Sequence, residues 1–322
     1  MSEKFTVVIA ATRCGLSPDA DIDDPSTVII KDHPLLCQQI SIFAKAGFSE
    51  FVILHKEGDH KIQELISNFQ NTNPEIMKRV SIKYVDIHKN HVMHTANMIC
   101  AIDGIIKNDF IFLEGNVIFN FSPLRLVEFF RKSGASCVTV IKDRENEKLN
   151  SNTLGLLIGY EASSSRGILM QTVGDEYQIE TNILLEFPQI TLTKSLELSS
   201  VYVFSHRMIQ FMKSHEPPFR SISTDLIPWI TQQQYKHISF KSQSEEISNS
   251  NQDHIDSGEI DAYPKVDSSS LDDQHQFSWQ TKSSEIKSFL FILRNEICER
   301  ITSSAMLQQI NKVNDNQFNG LI

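Results

Sequence analysis

From Phe5 to Ile141 the chain alternates short, almost wholly apolar runs with segments of helical periodicity, and few architectures accept that pattern. Runs such as Phe5 to Ala10 (FTVVIA) and Phe51 to His55 (FVILH) show little apolar/polar alternation, so both of their faces must be covered. A parallel sheet with crossover helices on each side covers them. The expected order is strand Phe5 to Ala10, helix Pro34 to Ala46 ended by Gly47, strand Phe51 to His55, then a helix from Asp59 to Phe69 with Ile62, Leu65, Ile66 and Phe69 on one face. Strand Val80 to Val85, helix His94 to Ile106, strand Phe110 to Leu113, helix Pro123 to Lys132 opened by its proline, and strand Ala135 to Ile141 follow.

Beyond Lys142 the texture changes to shorter β-like runs at Leu154 to Tyr160, Gly167 to Thr172, Ile183 to Glu186 and Leu198 to Phe204. They predict a mixed-strand extension of the sheet. Helices are expected at His206 to Met212 and at Thr224 to Gln234, the second opening Ser-Thr-Asp; Lys287 to Leu293 reads as a strand and Ser303 to Val313 as a helix. The expected fold class is α/β, a Rossmann-like, mostly parallel sheet with crossover helices and that extension. No hexapeptide array of aliphatic positions occurs, so no left-handed β-helix is expected in this chain.

The formal charge of the 322 residues is −10, from 30 Lys and Arg against 40 Asp and Glu, a balance that argues against coating a nucleic acid. Between Ser242 and Ser284 nine carboxylates face two cations, Lys265 and Lys282, which places −7 of that total in one stretch. Rich in Ser, Asn, Asp and Gln, it has too few apolar residues to offset the entropy of ordering. Residues 241–284 are therefore expected to form a disordered acidic loop between an α/β domain over 1–240 and a returning strand and helix over 285–322 that pack on it. Phe277 and Trp279 read as chance apolar residues of that loop. No run of 18 apolar residues exists and MSEKF lacks a signal core, so a cytosolic chain with no membrane partner is expected. Cys14, Cys37, Cys100, Cys137 and Cys298 stand singly and read as reduced thiols.

In an open parallel sheet ligands bind at the carboxyl ends of the strands, here the loop Ala10-Ala11-Thr12-Arg13-Cys14-Gly15-Leu16-Ser17-Pro18. Cradling a phosphate takes glycines whose amides can close on the anion; this loop has Gly15 alone, with Arg13 as its cation. His88, His91 and His94 recur every third residue without a carboxylate or thiol partner and read as a solvated turn rather than a metal site. Lys31-Asp32-His33 reads as a polar turn before the first helix.

The segment FTVVIAATRCGLSP followed by KDHPLLCQQISIFAKAGFSEFVILH resembles the opening of the sugar-nucleotide pyrophosphorylase (nucleotidyltransferase) family, and FIFLEGNVIFNFSPLRLVEFFRKSGASCVTVI resembles a later stretch of it. VYVFSHRMIQFM with SISTDLIPWITQQQYK resembles one branch, the gamma subunits of eukaryotic translation initiation factor 2B. The family's chemistry takes amides that hold phosphates, a cation for developing charge and a carboxylate for Mg²⁺. At the matching positions stand Ala11, Thr12 and Arg13 in the first loop, Pro25 near the family's lysine, His94 and Thr95 in its base-contacting turn, and Glu114 with Asn116 at its metal aspartate. The resemblance thus implies a vestigial nucleotide pocket with no catalytic residue, no metal and no cofactor. It implies a non-catalytic subunit that supports GDP/GTP exchange on initiation factor 2 by assembling with an epsilon-type subunit and the other subunits of the exchange factor. Two alternatives stand beside it: a sugar-1-phosphate nucleotidyltransferase resembling mannose-1-phosphate guanylyltransferase, with Arg13, Lys31 and Glu114 in displaced roles, and a degenerate pocket that keeps a regulatory nucleotide or sugar phosphate.

Overall fold

The computed structural model describes residues 5–12, 25–87, 94–144, 156–172, 179–215, 218–234 and 286–312. The expected acidic loop at 241–284, with Phe277 and Trp279, and the residues Arg13, Cys14, Gly15, His88 and His91 lie outside them.

Strand β1 (Phe5–Ala11) lies between β4 (Glu50–Lys56) and β6 (Asp109–Glu114), parallel to both, and β5 (Ser81–Ile87) continues the parallel group outside β4. Every residue of β1 is buried because alternate side chains enter two cores: Phe5, Val7, Ile9 and Ala11 on one face, Val8 and Ala10 on the other. That is why the run shows no polar alternation. Helices α1 (Leu35–Lys45), α2 (His60–Thr72) and α5 (Pro123–Ser133) cover the first face through Phe43, Ile62, Ile66, Leu126 and Phe130, with the single turn α3 (Pro74–Met77) contributing Met77. The second face is covered by α4 (Thr95–Ala101), α7 (Arg207–Ser214) and α8 (residues 227–234) through Ile99, Met208, Ile227 and Ile230.

Local signals set the helix ends. Helix α1 stops before Gly47, whose φ is 87°, and α5 opens on Pro123 and closes on Gly134 at φ 61°. Asp59 caps α2, its carboxylate accepting from the Lys61 amide at 3.1 Å. Asp59→Ala is expected to lower stability by about 1 kcal/mol without changing the denaturant m-value, measured as a shift in urea midpoint.

The rest of the sheet is mixed. β12 (Leu196–Phe204) runs antiparallel between β6 and β8 (Cys137–Asp143), and β13 (Ser288–Leu293) lies parallel to β8 and antiparallel to β10 (Arg166–Thr172). β9 (Leu156–Glu161) and the edge strand β11 (Ile190–Thr193) complete a ten-stranded sheet in the order β11-β9-β10-β13-β8-β12-β6-β1-β4-β5. Gln234, at the end of α8, accepts from the Ser288 amide at 3.1 Å and donates to the Gly167 carbonyl at 3.1 Å, tying α8 to β13 and β10. Two small ladders stand apart from this sheet: a hairpin of β2 (Ile29–Ile30) and β3 (His33–Pro34), and β7 (Val117–Phe119) paired with β14 (Cys298–Arg300). With the last helix, α9 (Ser304–Lys312), they enclose a third core of Ile30, Leu35, Ile118, Ile301 and Ile310.

Three expectations need correction. Ile183 to Glu186, expected as a strand, belongs to the short helix α6 (Thr181–Glu186), where Leu184 and Leu185 are exposed; the edge strand is the following Ile190–Thr193, which β9 pairs. An apolar run of four residues fits either state, and periodicity does not separate them. The helix expected to reach Ile106 ends at Ala101, and the chain turns through Gly104 at φ 78° into a bridge between Asp103 and Ile106. The helix expected from Thr224 begins earlier, as a π turn (Ile222–Leu226) after Ser221, whose hydroxyl accepts from the Thr224 amide at 3.2 Å. Asp225 reaches back to accept from the Ser221 amide at 3.0 Å, a capping box lengthened by the wider turn.

Cys37, Cys137 and Cys298 are buried free thiols and Cys100 is half-buried. Burial pushes Cys37 and Cys298 each up to about 12, which leaves both inert. Among the described residues no helix is long and apolar enough to cross a membrane.

Candidate functional site

The carboxyl ends of β1 and β6 meet at the turn Glu114-Gly115-Asn116. The Gly115 amide donates to the Ala10 carbonyl at 3.0 Å, so the turn folds directly onto the end of β1. A Cβ at Gly115 would lie 2.9 Å from the Ala10 carbonyl oxygen, 2.9 Å from Ser26 Cβ and 3.3 Å from Ala11 Cα. Only glycine fits there. Ala11 is the buried last residue of β1 and Thr12 follows it, while Pro25 opens the 3₁₀ turn Pro25–Thr27 that carries the buried Ser26 to Gly115. From α1, the buried Gln39 donates to the carbonyls of Glu114 at 3.3 Å and Val117 at 2.7 Å. Asn116 donates its side-chain amide to the Ile301 carbonyl at 3.3 Å, and its own carbonyl accepts from the Ile301 amide at 2.8 Å. Both amide side chains therefore serve the backbone of this corner.

Glu114 closes β6 with a carboxylate that is 7% exposed, and its Oε2 stands 2.9 Å from Nη2 of Arg300. The contact is an ion pair. Ser200 and Tyr202, both on β12, complete the surroundings. Burial pushes the Glu114 carboxyl above the usual range, and the Arg300 charge and Ser200 hydroxyl pull it back. Burial, then the Glu114 charge, pushes the Tyr202 phenol far above its ordinary value, so it is neutral at any physiological pH. Ser200 reaches this position through a bulge: β12 advances four residues, from Leu198 to Tyr202, while β8 advances two, from Ile141 to Thr139, and Ser200 has φ 55°. Such a bulge re-aims a side chain at the cost of local backbone strain.

Arg300 is delivered by β14, whose register places it opposite Val117, one residue past the turn. Successive residues of a strand point to opposite sides, and Glu299, its neighbour, pairs with Lys142 and with Arg144 at 2.6 Å. Arg144 also pairs with Glu197 at the start of β12. Consecutive charges of one short strand are thus held on both of its sides.

His94 and Thr95 stand at the start of α4. The buried Thr95 hydroxyl accepts from the Ile222 amide at 2.9 Å, and the Ala96 amide donates to the Arg220 carbonyl at 3.0 Å. His94 occupies the cap position with no side-chain cap bond. Beside them Asp225 is partly buried, which works against its charge, yet the Ser221 amide, the Thr224 hydroxyl, the Arg220 amide and the nearby His94 hold its carboxyl below the usual range. The polar groups of this turn are spent on the segment 220–225.

Of the positions singled out in the sequence, Ala11, the Pro25 turn, Glu114 and Asn116 therefore meet at one corner, and His94 and Thr95 pack on the segment before α8. Arg13 lies outside the described residues. Sequence reasoning missed Gln39, Ser200 and Arg300. Each is unremarkable within its own segment and acquires its role from a partner far along the chain. His33 lies in the β2–β3 hairpin, whose loop residues Lys31 and Asp32 have φ 47° and 69°, the two-residue turn of a tight hairpin. Among the described residues no group of three or more His, Cys, Asp and Glu side chains is placed to hold a metal.

Comparisons with known proteins fit this architecture. Translation initiation factor eIF2B subunit gamma of Schizosaccharomyces pombe is 25% identical over 215 residues, 64% of this chain and 46% of that protein. The protein of the same name from Dictyostelium discoideum is 24% identical over 344 residues, 96% of this chain and 74% of its own length. The chain thus spans less than half of the first relative and about three quarters of the second. The crystal structure of HddC from Yersinia pseudotuberculosis shares the fold, with a TM-score of 0.53 at 12% identity over 96% of this chain and 98% of that one. The family described as nucleotidyl transferase matches residues 21–273, beginning past β1. With most of its length matched in this way, the chain belongs to the nucleotidyl transferase family.

Proposed function

We propose that this chain is a non-catalytic, gamma-type subunit of the eIF2B guanine-nucleotide exchange factor. In this reading it supports GDP/GTP exchange on initiation factor 2 by assembly and binding, in the cytosol, beside an epsilon-type subunit and the other subunits. The observation that carries the reading is the state of the corner at Glu114. The carboxylate nearest the family's metal position is buried against a guanidinium, and the Thr95 and Ala96 groups that would face a base are bonded to residues 220–222. Ala11, Thr12, Arg13, Pro25, His94, Thr95, Glu114 and Asn116 are on this reading remnants of a nucleotide pocket. Similarity to two gamma subunits supports the same conclusion. A rigid α/β body whose pocket chemistry has been converted to structural bonds keeps its outer faces for protein contacts.

The test is affinity capture of the tagged endogenous protein at low salt, with its companions identified by mass spectrometry. An epsilon-type subunit and subunits of initiation factor 2 are the expected companions, and their absence overturns the assignment. In parallel, purified chain incubated with Mg²⁺, labelled pyrophosphate and sugar-linked nucleoside diphosphates of all four common bases is expected to form no nucleoside triphosphate. Turnover that Glu114→Gln abolishes would establish a transferase instead.

A further inference from the structure

The fold family implies a divalent cation beside the carboxylate that follows this strand, and the residues present do not suit one. Mg²⁺ favours an octahedral shell of oxygens with one or two carboxylates among them. This corner supplies a single carboxylate, and its Oε2 is already 2.9 Å from a fixed positive charge. Asn116, at the aspartate position, brings no charge and holds the Ile301 carbonyl with its amide. The orphaned oxygens of Gln39 and Asn116 in this buried corner match the needs of ordered water, which carries no charge into it. A dication placed here would have to displace or oppose Arg300.

We propose that Arg300 is the chain's built-in replacement for the family's divalent cation, a guanidinium supplied by β14 that neutralises Glu114 permanently where an exchangeable ion would otherwise sit. The inference rests on the non-catalytic reading above. Three features of this corner carry it. Main-chain pairing fixes the donor strand, since Arg300 lies in register with Val117 and the next residue, Ile301, exchanges a bond with Asn116. The opposite side of that strand is locked by Glu299 on Lys142 and Arg144, so Arg300 is not a wandering surface side chain. The β12 bulge sets Ser200 beside Glu114, so that one acid and one base stand together with two hydroxyls, Ser200 and Tyr202. A guanidinium suits the task better than an ammonium, because it is weakly hydrated and never loses its proton.

Mn²⁺ is a suitable probe, read by its free electron-paramagnetic signal and by thermal unfolding of the full chain. Wild type is expected to leave Mn²⁺ free and its Tm unchanged up to millimolar ion. Arg300→Ala is expected to melt lower in buffer, to bind Mn²⁺ saturably, and to recover about 5 °C at saturation. Glu114→Gln/Arg300→Ala is expected to show no response. Saturable Mn²⁺ binding by wild type that Glu114→Gln removes would overturn the inference, and so would an Arg300→Ala protein as indifferent to Mn²⁺ as wild type. If Arg300→Ala fails to fold, the wild-type and Glu114→Gln titrations still decide, and Arg300→Lys is expected to fold and leave Mn²⁺ free. Absent companions in the capture experiment would defeat the assignment to the exchange factor alone. Wild-type Mn²⁺ binding through Glu114 would defeat this inference alone.

Discussion

Arg300→Met is expected to lower stability by about 3 kcal/mol near pH 8, the lower end for removing one partner from a buried ion pair, because the carboxylate is buried while the guanidinium keeps some contact with solvent. Methionine keeps much of the arginine's volume, so the loss reports charge more than packing. Its pH dependence has a defined sign. Burial already raises Glu114 and Arg300 pulls it down, so removing Arg300 raises the folded-state value further. The native protein then holds a proton that the unfolded chain has released, and its stability falls as pH rises from the unfolded carboxyl value of about 4.3 through the folded one. The deficit relative to wild type is therefore largest at alkaline pH and shrinks toward acid. Urea midpoints at pH 5 and pH 8 measure it. Equal deficits at the two values would mean that Glu114 is not the charge Arg300 serves. Glu114→Gln/Arg300→Met is expected to regain much of the loss at pH 8, since no buried charge is left uncompensated.

Gly115→Ala is expected to cost about 3 kcal/mol, the upper end for overpacking. The new methyl would press at 2.9 Å on a backbone oxygen of β1 on one side and on Ser26 on the other. Neither neighbour is the far end of a flexible side chain. Gly115 is not among the glycines of positive φ, so the penalty there is steric. Gly134 provides the converse control: its φ is 61° and nothing lies within 4 Å of an added Cβ, so Gly134→Ala is expected to cost about 1 kcal/mol from conformation alone. Equilibrium unfolding of the two variants side by side checks the contrast, and equal losses would show that β1 can yield at the Gly115 contact.

The parallel half of the fold was legible because its causes are local. β1, β4 and β6 are continuous apolar runs, and α1, α2 and α5 announce themselves by Gly47, Asp59 and Pro123. Where the cause is not local, the sequence is silent. β14 is three residues long and exists because β7 pairs it, and the β12 bulge exists because β8 advances two residues while β12 advances four. The corner at the end of β6 shows the same division. Glu114 and Asn116 could be picked out from a family pattern, whereas Arg300 and Ser200 reach Glu114 only through those two nonlocal pairings. Ile183 to Glu186 misled for the opposite reason, since its apolar content had no partner strand to make it β.

The placement of β13 bears on how such a chain comes to be folded at all. Among the described residues β9, β10 and β11 join the remainder of the great sheet through β13 alone, a strand drawn from Ser288–Leu293. On a ribosome, β8 and β10 are made long before it and wait with open edges, which invite pairing with foreign strands. A nascent polypeptide of this design therefore stays vulnerable until β13 is available, and chaperone occupancy during translation is expected to persist until residues 288–293 have emerged from the tunnel.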